Sequence, residues 1–273
     1  MRLAAAICAD LAAAGVAAAG MGAALAATPA AAEDLKVCAD PNNMPFSNRA
    51  EEGFENRLAE MMAEELGYDG VEYTWWAQRR GFLRNTLNAG KCDAVMGVPM
   101  LDMLATTRAY YRSGYVFVTR ADRGLGFSSI DAPELEDLTI GVHLIGDDGA
   151  NTPPADALGE RGLADRLRGY LIYGDYREDS PPGRIIDDVA SGRIDVAAVW
   201  GPLAGWRALR SETPLHVEPI TDTFGYLPLV FQFSIGMGTR KEDVALRDRL
   251  DEAIVARRDD IDRLLASYGV PRL

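Results

Sequence analysis

Histidine is nearly absent from this 273-residue sequence, which holds only His143 and His216, and basic residues are outnumbered by acidic ones, 28 against 41. We expect both histidines to be structural, because each lies in a predicted strand. The net charge of −13 repels phosphate backbones and anionic lipid, which excludes nucleic acids and membrane surfaces as partners. No zinc, P-loop or dinucleotide-binding signature is present. We therefore predict a protein that is not an enzyme and that holds no metal and no cofactor.

Charged residues are also scarce in the first 32 residues, which contain one Arg and one Asp and are otherwise mostly Ala and Gly. A run of small residues ends this stretch just before Glu33. The pattern predicts a secretory signal peptide at 1–32, cleaved after about Ala32. An N-terminal membrane anchor is the alternative, and the glycines make the stretch poorly hydrophobic for that role. We expect an exported soluble protein.

Cysteine is limited to three residues, and Cys8 would leave with the signal peptide. The remaining pair, Cys38 and Cys92, predicts a disulfide, because an even pair in an exported chain is usually bonded. Two buried free thiols are the alternative. Cys38 ends the first predicted strand and Cys92 precedes the third, so a bond is geometrically feasible if the sheet order is 2-1-3. The disulfide would then brace the loop that follows Cys38.

The chain shows two similar sets of predicted elements, each in the order β-α-β-α-β, which indicates parallel sheets covered by helices. The first set covers 35–39, 53–67, 71–76, 80–90 and 92–98. The second set covers 138–146, 152–167, 170–174, 181–192 and 195–201. A long strand from residue 111 leads from the first set to the second, and another at 227–237 leads back. We predict an α/β protein of two lobes joined by a two-crossing hinge. Lobe one comprises 33–120 and 225–273, and lobe two comprises 124–222.

Ligands of such sheets bind beyond the carboxyl ends of the strands. The candidate residues for a cleft or a partner-binding surface lie in loops at these ends, and they are Asn42, Asn43, Phe46, Trp75, Trp76, Arg79, Arg80, Tyr111, Asp147, Asp148, Asn151, Thr152 and Trp200. Adjacent strand residues face opposite ways, so one of Trp75 and Trp76 should enter the core while the other reaches the cleft rim. Core packing with solvated arginines is the alternative. For Tyr111, packing under the hinge and lining the cleft are both open.

The segment IGDDGANTPP, residues 145–154, is the most specific polar motif. Thr152 is expected to cap a helix that begins at Pro153. Asp147 and Asp148 would repel an anion from the amides of that helix, so the segment is either a capped turn or a polar contact in the cleft or at a partner surface. Its spacing does not match a calcium-binding EF-hand loop.

Taken together, these features resemble the type II periplasmic solute-binding proteins over essentially all of the mature chain. More closely, the chain is similar to the MxaJ/XoxJ proteins found with periplasmic quinoprotein methanol dehydrogenases. The motifs that carry this resemblance, in order, are VCADPNNMPFSN, GFENRLAE, YTWWAQRRGFLRNTLNAGKCD, VHLIGDDGANTPPADAL, YGDY and DVAAVWGPLAGW. The sequence departs in one respect from the amino-acid-binding members of this class, which carry an arginine that binds the ligand carboxylate. Met100, Leu101 and Asp102 stand in that neighbourhood instead, which disfavours amino-acid uptake.

The resemblance implies a periplasmic accessory protein that docks on a PQQ-dependent methanol dehydrogenase and assists its maturation or activation. The chain is nearer to XoxJ, which implies the lanthanide-dependent enzyme, with the enzyme's cytochrome c as a further partner and a peptide segment or small ligand in the cleft. Two alternatives stay open. One is a solute-binding protein for transport or sensing of a small ligand. The other is a hydrolytic enzyme on the same fold, which would need a cleft carboxylate with a raised pKa.

Overall fold

The computed structural model describes residues 33–146 and 151–273. The predicted signal peptide at 1–32 and the two aspartates Asp147 and Asp148 lie outside the described residues. In the described part of the chain, no helix is both long and apolar enough to cross a membrane.

The described residues form strands and helices in nearly the predicted order. The strands are β1 Leu35–Ala39, β2 Asn42–Asn43, β3 Ser47–Asn48, β4 Val71–Trp75, β5 Val95–Pro99, β6 Ala105–Thr106, β7 Tyr111–Arg120, β8 Ile140–Leu144, β9 Leu167–Leu171, β10 Val196–Trp200, β11 Leu215–Pro219 and β12 Gln232–Thr239. The helices are α1 Phe54–Leu66, α2 Phe82–Asn85, α3 Pro153–Glu160, α4 Arg184–Ala190, α5 Gly201–Arg210, α6 Val244–Ala256 and α7 Arg258–Ser267.

Two predicted helices are shorter than expected, each for a local reason. The helix predicted at 80–90 is interrupted at Thr86, whose φ of −123° and ψ of −86° are not helical, and a 3-10 turn at Leu87–Ala89 follows. The helix predicted at 152–167 ends near Gly162, whose φ of 87° lies in the left-handed region that glycine adopts without strain. Strand β9 then begins at Leu167, three residues before the predicted start.

Strand β1 lies between its two parallel neighbours, as the predicted 2-1-3 order requires. It pairs with β4 from Leu35 opposite Val71 to Ala39 opposite Trp75. On its other side a parallel bridge joins Val37 to Ala94. Both neighbours run in the same direction as β1, so the loops after all three strands leave from one edge.

The predicted disulfide between Cys38 and Cys92 is present, with 5.5 Å between the two Cα atoms. Both residues are buried, and they pack with Phe82, Leu87 and Val95. The bond therefore fixes the end of β1, directly ahead of the loop at 40–48, to the segment that enters β5.

Strand β7 is shared by two halves of one larger sheet. Its first residues pair antiparallel with β12, where Tyr111 lies opposite Ile235. Its later residues pair antiparallel with β10, where Tyr115 lies opposite Trp200. The strand order is β5-β12-β7-β10-β8-β9. Within each predicted β-α-β-α-β set the strands pair parallel, as predicted. The larger sheet is mixed because the two crossing strands, β7 and β12, run against their neighbours.

The buried hydrophobic residues fall into separate clusters on either side of these crossing strands. The first core combines Leu35, Phe54 and Leu58 with Ile254 and Ile261 from the C-terminal helices. The second core comprises residues packed around β8 and β10, including Phe117, Ile130, Ile140, Val142, Leu158, Ile185, Val196 and Val199. The predicted lobe boundaries stay a prediction, but the chain does leave the first core along β7 and return to it along β12.

Removal of the disulfide should destabilise the protein substantially. Its two cysteines are 54 residues apart in sequence, and closing a loop of that length in the unfolded chain is worth about 4 kcal/mol in the chain-entropy model. A variant carrying Cys38→Ala and Cys92→Ala should lose free energy of unfolding of that order in urea titrations. Chemical reduction of the wild type should give the same loss. A loss below about 1 kcal/mol in both experiments would contradict the bracing role.

Candidate functional site

A cavity of about 360 Å³ lies between the first and second cores. Seven of its wall residues are Phe, Tyr or Trp, and they are Phe46, Tyr111, Tyr115, Tyr173, Tyr176, Trp200 and Phe233. Its polar wall residues are Asp40, Asn43, Glu55, Gln78 and His143. No Arg or Lys is among the described residues of this wall. The site thus has the volume and apolar lining of a small-molecule pocket, with two carboxyl groups and no cation to balance them.

The cavity forms where the sequence analysis placed it, at the carboxyl ends of the parallel strands. Asp40, Asn43 and Phe46 come from the loop after β1, Gln78 follows β4, and Pro99 ends β5. The opposite wall comes from the second core and includes residues at the end of β8, after β9 and at the end of β10. This arrangement follows from parallel pairing, because parallel strands end at the same edge of their sheet.

Asp40 is a buried carboxylate, 2% exposed, that accepts hydrogen bonds from both sides of the cavity. Its Oδ2 accepts from the Gln78 backbone N–H and from the Tyr176 hydroxyl, each at 2.6 Å. Its Oδ1 accepts from the Asn42 backbone N–H at 2.8 Å. Burial, together with the neighbouring Asp40 carboxylate, raises the pKa of Tyr176 well above its usual value. Tyr176 is therefore a neutral donor, and its bond to Asp40 spans the cleft.

Asn42 makes a second connection across the cleft. Its Nδ2 donates to the Glu178 carbonyl at 2.7 Å, and its Oδ1 accepts from the Ser180 N–H at 2.9 Å. Ser180 has a φ of 46°, a left-handed conformation that is uncommon for a residue other than glycine. We call Asp40, Asn42, Tyr176 and Ser180 the latch, because their hydrogen bonds join the loop after β1 to the loop at 173–180.

Glu55, in the first turn of α1, presents the second carboxyl group of the wall. It lies against β5 at Gly97, where any side chain would collide with the carboxylate. Within the described residues, no hydrogen bond or ion pair to this carboxylate is found, in contrast to Asp40. Burial, and to a lesser extent the charge of Asp40, raise the pKa of Glu55 from its ordinary 4.5 to about 8. At neutral pH Glu55 is therefore protonated.

His143 lies in the wall at the end of β8 and is 3% exposed. Its Nε2 lies 3.0 Å from the Pro182 carbonyl oxygen, which can only accept, so this nitrogen carries the proton. Burial lowers the pKa of His143 to about 4. The imidazole is neutral at pH 7 and its Nε2–H is already used, which agrees with the structural role expected from the sequence.

The candidate residues from the sequence lie in different parts of the structure. Asn43, Phe46, Tyr111 and Trp200 lie in the cavity wall, and Asn42 belongs to the latch. Asp147 and Asp148 lie outside the described residues. The remaining candidates, which do not line the cavity, are Trp75, Trp76, Arg79, Arg80, Asn151 and Thr152.

Neither of the two tryptophans after β4 enters the core, where one of them was predicted. Trp75 is half-buried and stacks on Tyr73 with 4.7 Å between ring centroids. Trp76 is 40% exposed, and its ring lies 5.4 Å from Lys91 Nζ. The reason is that β4 pairs only with β1 among the described strands, so it is an edge strand with an incompletely covered face. Arg79 lies over the Tyr176 ring at 5.1 Å, at the outer rim of the cleft.

Thr152 precedes α3 as predicted, but its side chain does not cap the helix. Its Oγ1 donates instead to the His143 carbonyl at 2.6 Å. Pro154 occupies the second helical position and lacks an N–H group, which removes one of the two donors from which a capping hydroxyl accepts. Thr152 therefore ties the start of α3 to β8, and the half-buried Asn151 lies beside it.

Sequence reasoning missed three residues that shape the site: Asp40, Glu55 and Tyr176. Asp40 follows β1 directly, and a carboxylate at the end of a buried parallel strand was an available signal. Glu55 looked like an ordinary acidic residue in the first turn of a helix, where it would complement the helix dipole. Tyr176 lies in a loop whose path across the cleft is set by tertiary packing, so its partner could not be inferred from spacing.

Comparisons with known proteins cover most of the chain. The model of the bacterial extracellular solute-binding proteins, family 3, matches residues 35–270. Protein MoxJ of Methylorubrum extorquens is 32% identical over 252 residues, which are 88% of this chain and 81% of MoxJ. The predicted fold, a bilobed type II periplasmic binding protein, agrees with these matches.

Two solved structures resemble the chain over nearly their full length. The periplasmic binding protein XoxJ from Methylobacterium extorquens AM1 is 36% identical with a TM-score of 0.72, covering 88% of this chain and 99% of that one. MxaJ from Methlophaga aminisulfidivorans MPT is 28% identical with a TM-score of 0.73, covering 88% of this chain and 100% of that one. The similarity to the MxaJ/XoxJ proteins that the motifs indicated is thereby confirmed.

The raised pKa of Glu55 predicts a specific pH dependence of stability. The folded protein retains the Glu55 proton up to about pH 8, whereas the unfolded chain loses it near pH 4.5. The free energy of unfolding should therefore fall as pH rises between these values, by up to roughly 5 kcal/mol from this group. In urea titrations at pH 5 and pH 8, Glu55→Gln should lose less stability than the wild type.

Glu60→Gln is the matched control, because Glu60 lies on the same helix but is exposed and paired with Arg57. Its pH dependence should follow that of the wild type. The buried, neutral His143 destabilises all three proteins alike as pH falls from 6.5 toward 4, so the comparison between variants isolates Glu55. Identical pH profiles for Glu55→Gln and the wild type would contradict the assignment.

Loss of a latch hydrogen bond should open the cleft. Tyr176→Phe removes a bond to a buried carboxylate and should cost about 1.5–3 kcal/mol in free energy of unfolding. It should also increase the radius of gyration measured by small-angle X-ray scattering. Tyr226→Phe is the control, because the Tyr226 hydroxyl also donates to an aspartate at 2.6 Å, but this bond to Asp131 is exposed and lies away from the cleft. Equal effects of the two substitutions on both measurements would count against the latch.

Proposed function

The chain belongs to the bacterial extracellular solute-binding proteins, family 3, and from this premise we propose that it is a periplasmic accessory protein without catalytic activity. In this proposal it docks on a PQQ-dependent methanol dehydrogenase, alone or together with the enzyme's cytochrome c, and assists maturation or activation of the enzyme. The observation that supports this most is the similarity to MoxJ, XoxJ and MxaJ, which extends over nearly the whole chain.

The identity to XoxJ, 36%, exceeds the identity to MxaJ, 28%, at equal coverage of this chain. This difference favours the lanthanide-dependent dehydrogenase as the partner, which is the type that the motif resemblance implied. A periplasmic location follows from the same proposal, since the partner enzyme works there.

The outer rim of the cleft is the surface we assign to docking. Trp76 is 40% exposed, and Arg79 and Arg80 beside it are exposed as well. Aromatic residues and arginine are enriched at the energetically dominant positions of protein interfaces. The cavity itself is too small for docking, because 360 Å³ between latched walls has room for a small molecule and not for a folded chain segment.

The hydrolytic alternative requires a cleft carboxylate with a raised pKa, and Glu55 satisfies that single condition. The other components of a hydrolytic site are not found in the described wall. Asp40 is held by three donors, and the His143 Nε2–H is held by Pro182. Neither group is therefore placed to activate a nucleophile or a water molecule, so we favour a binding role for Glu55.

A solute-binding protein for transport or sensing is the second candidate function, and the latched cavity is the observation that favours it. A ligand that binds only the folded protein stabilises it by mass action. Under this alternative the protein would respond to a solute in the absence of any dehydrogenase, and it would not bind the enzyme.

Docking predicts measurable binding between the purified protein and methanol dehydrogenase, in the apo or holo form. Calorimetry at low salt should detect a complex whose association weakens as salt rises, because the acidic protein would attract a basic patch. Trp76→Ala should weaken the complex by about tenfold, the effect expected for an interface residue worth about 1.4 kcal/mol.

Phe224→Ala provides the comparison, because Phe224 is 85% exposed and belongs to the segment Thr223–Tyr226, away from the assigned rim. It should leave the affinity unchanged. Absence of binding to both apo and holo enzyme at low salt would rule out the proposed function. Equal weakening by the two substitutions would rule out the rim as the docking surface.

A further inference from the structure

We propose that the cavity between the two cores binds a small organic ammonium ion, a protonated amine with an apolar body and no carboxylate, and that the Glu55 carboxylate is its counter-charge. This inference goes beyond docking on a dehydrogenase and rests on the chemistry of the cavity wall.

The charge of the wall excludes most other ligands. Asp40 and Glu55 are the acidic residues of the described wall, and they have no Arg or Lys beside them there. An anionic ligand would therefore face Asp40 without any compensating cation. An amino acid would have its ammonium group satisfied and its carboxylate unpaired, which is costly in a buried site. A cation without a carboxylate avoids both penalties.

Of the two carboxyl groups, Glu55 is the one left to bind a ligand. Asp40 accepts from Gln78, Tyr176 and Asn42, so its oxygens are already engaged. Glu55 receives no such donor from the described residues, and its carboxylate is held at the cavity wall over Gly97. A carboxylate removed from part of its hydration gains most from a ligand when the protein supplies it with no donor.

The aromatic wall suits a cation with an apolar body. Tyr115, Trp200 and Phe233 pack edge to face, with 5.5 Å between the Tyr115 and Trp200 centroids and 5.8 Å between the Trp200 and Phe233 centroids. Ring faces attract cations, and the interaction strengthens where water is excluded. The same rings bury the hydrocarbon part of an amine. Glu55 and these rings together recognise both ends of one small molecule.

Cavity size and closure favour a free molecule over a lysine side chain of a partner protein. The volume of about 360 Å³ lies at the lower end of small-molecule pockets. The latch joins the walls through Asp40, Asn42, Tyr176 and Ser180, which limits the size of a group that can enter between them. The cavity remains partly open to solvent with the latch formed, so a small free amine can enter it.

Binding should release a proton. The groups that face Glu55 are Asp40 from the loop after β1 and Tyr110 and Tyr111 at the start of β7, and the described residues place no cation among them. Glu55 is therefore protonated in the empty cavity at neutral pH and must ionise to pair with an ammonium ion. The affinity should rise by about tenfold per pH unit below the pKa of Glu55 and then level off.

The test uses methylammonium, n-butylammonium and benzylammonium as probes, with benzyl alcohol and benzoate as the neutral and anionic counterparts of the last. Calorimetry at pH 7, in two buffers of different ionisation enthalpy, should show saturable binding of at least one ammonium probe with release of close to one proton. Benzyl alcohol should bind more weakly than benzylammonium by about tenfold or more, and benzoate should not bind up to millimolar concentration.

Glu55→Gln should reduce ammonium affinity by about tenfold or more and abolish proton release, whereas Glu60→Gln should match the wild type. Thermal unfolding of each variant verifies that it is folded. The proposal is overturned if none of the three ammonium probes binds the wild type at millimolar concentration. It is equally overturned if benzyl alcohol binds as tightly as benzylammonium, or if folded Glu55→Gln retains wild-type affinity.

Discussion

The buried carboxylate of Asp40 organises the functional part of this protein. It lies at the end of β1, one residue beyond the last strand position, and it accepts hydrogen bonds from Asn42, Gln78 and Tyr176. A charge in such a place is tolerated only when hydrogen bonds replace its lost hydration. Those donors come from three different loops, so the requirement of one carboxylate fixes the relative positions of three segments. One of the three, the loop that carries Tyr176, crosses from the second core and closes the cleft.

The disulfide and the parallel pairing of β1 hold in place the strand end from which Asp40 projects. Cys38 is bonded to Cys92 and lies two residues before Asp40, so the carboxylate projects from a strand end that is tied to its neighbour. Asp40 also affects Glu55, because its negative charge adds to burial in disfavouring the ionised form. The two carboxyl groups of one cavity thus differ in role. One is saturated by protein donors and holds the walls together, and the other is unpaired and available to a cation.

Much of the fold was predictable because it depends on local pattern. The apolar run at Leu35–Ala39, the helical spacing of Phe54 and Leu58 with Gly67 at the cap, and the even pair of cysteines are all readable from neighbours in sequence. The antiparallel return of β12 was not, because strand direction within a shared sheet depends on where the chain crosses. The location of the cleft was predictable from the strand ends. The chemistry of the cleft was not predictable, since Asp40 and its donor Tyr176 are 136 positions apart in sequence. The lack of a donor to Glu55 likewise depends on tertiary packing.

Docking on a dehydrogenase and binding of an amine would use different parts of the protein, the exposed rim and the cavity between the two cores. Both parts meet at the loop that carries Tyr176, whose ring contacts Arg79 at the rim and whose hydroxyl closes the cavity. Tyr176 thus belongs to both the rim and the cavity wall. Binding of an amine depends on Glu55 being a half-buried carboxyl group without a protein partner among the described residues. The most direct test is a carbon-13 NMR titration of the protein labelled at glutamate side-chain carboxyl carbons, with Glu55→Gln used to assign the signal. The account predicts a Glu55 midpoint at about pH 8, and a midpoint near its ordinary 4.5 would contradict it.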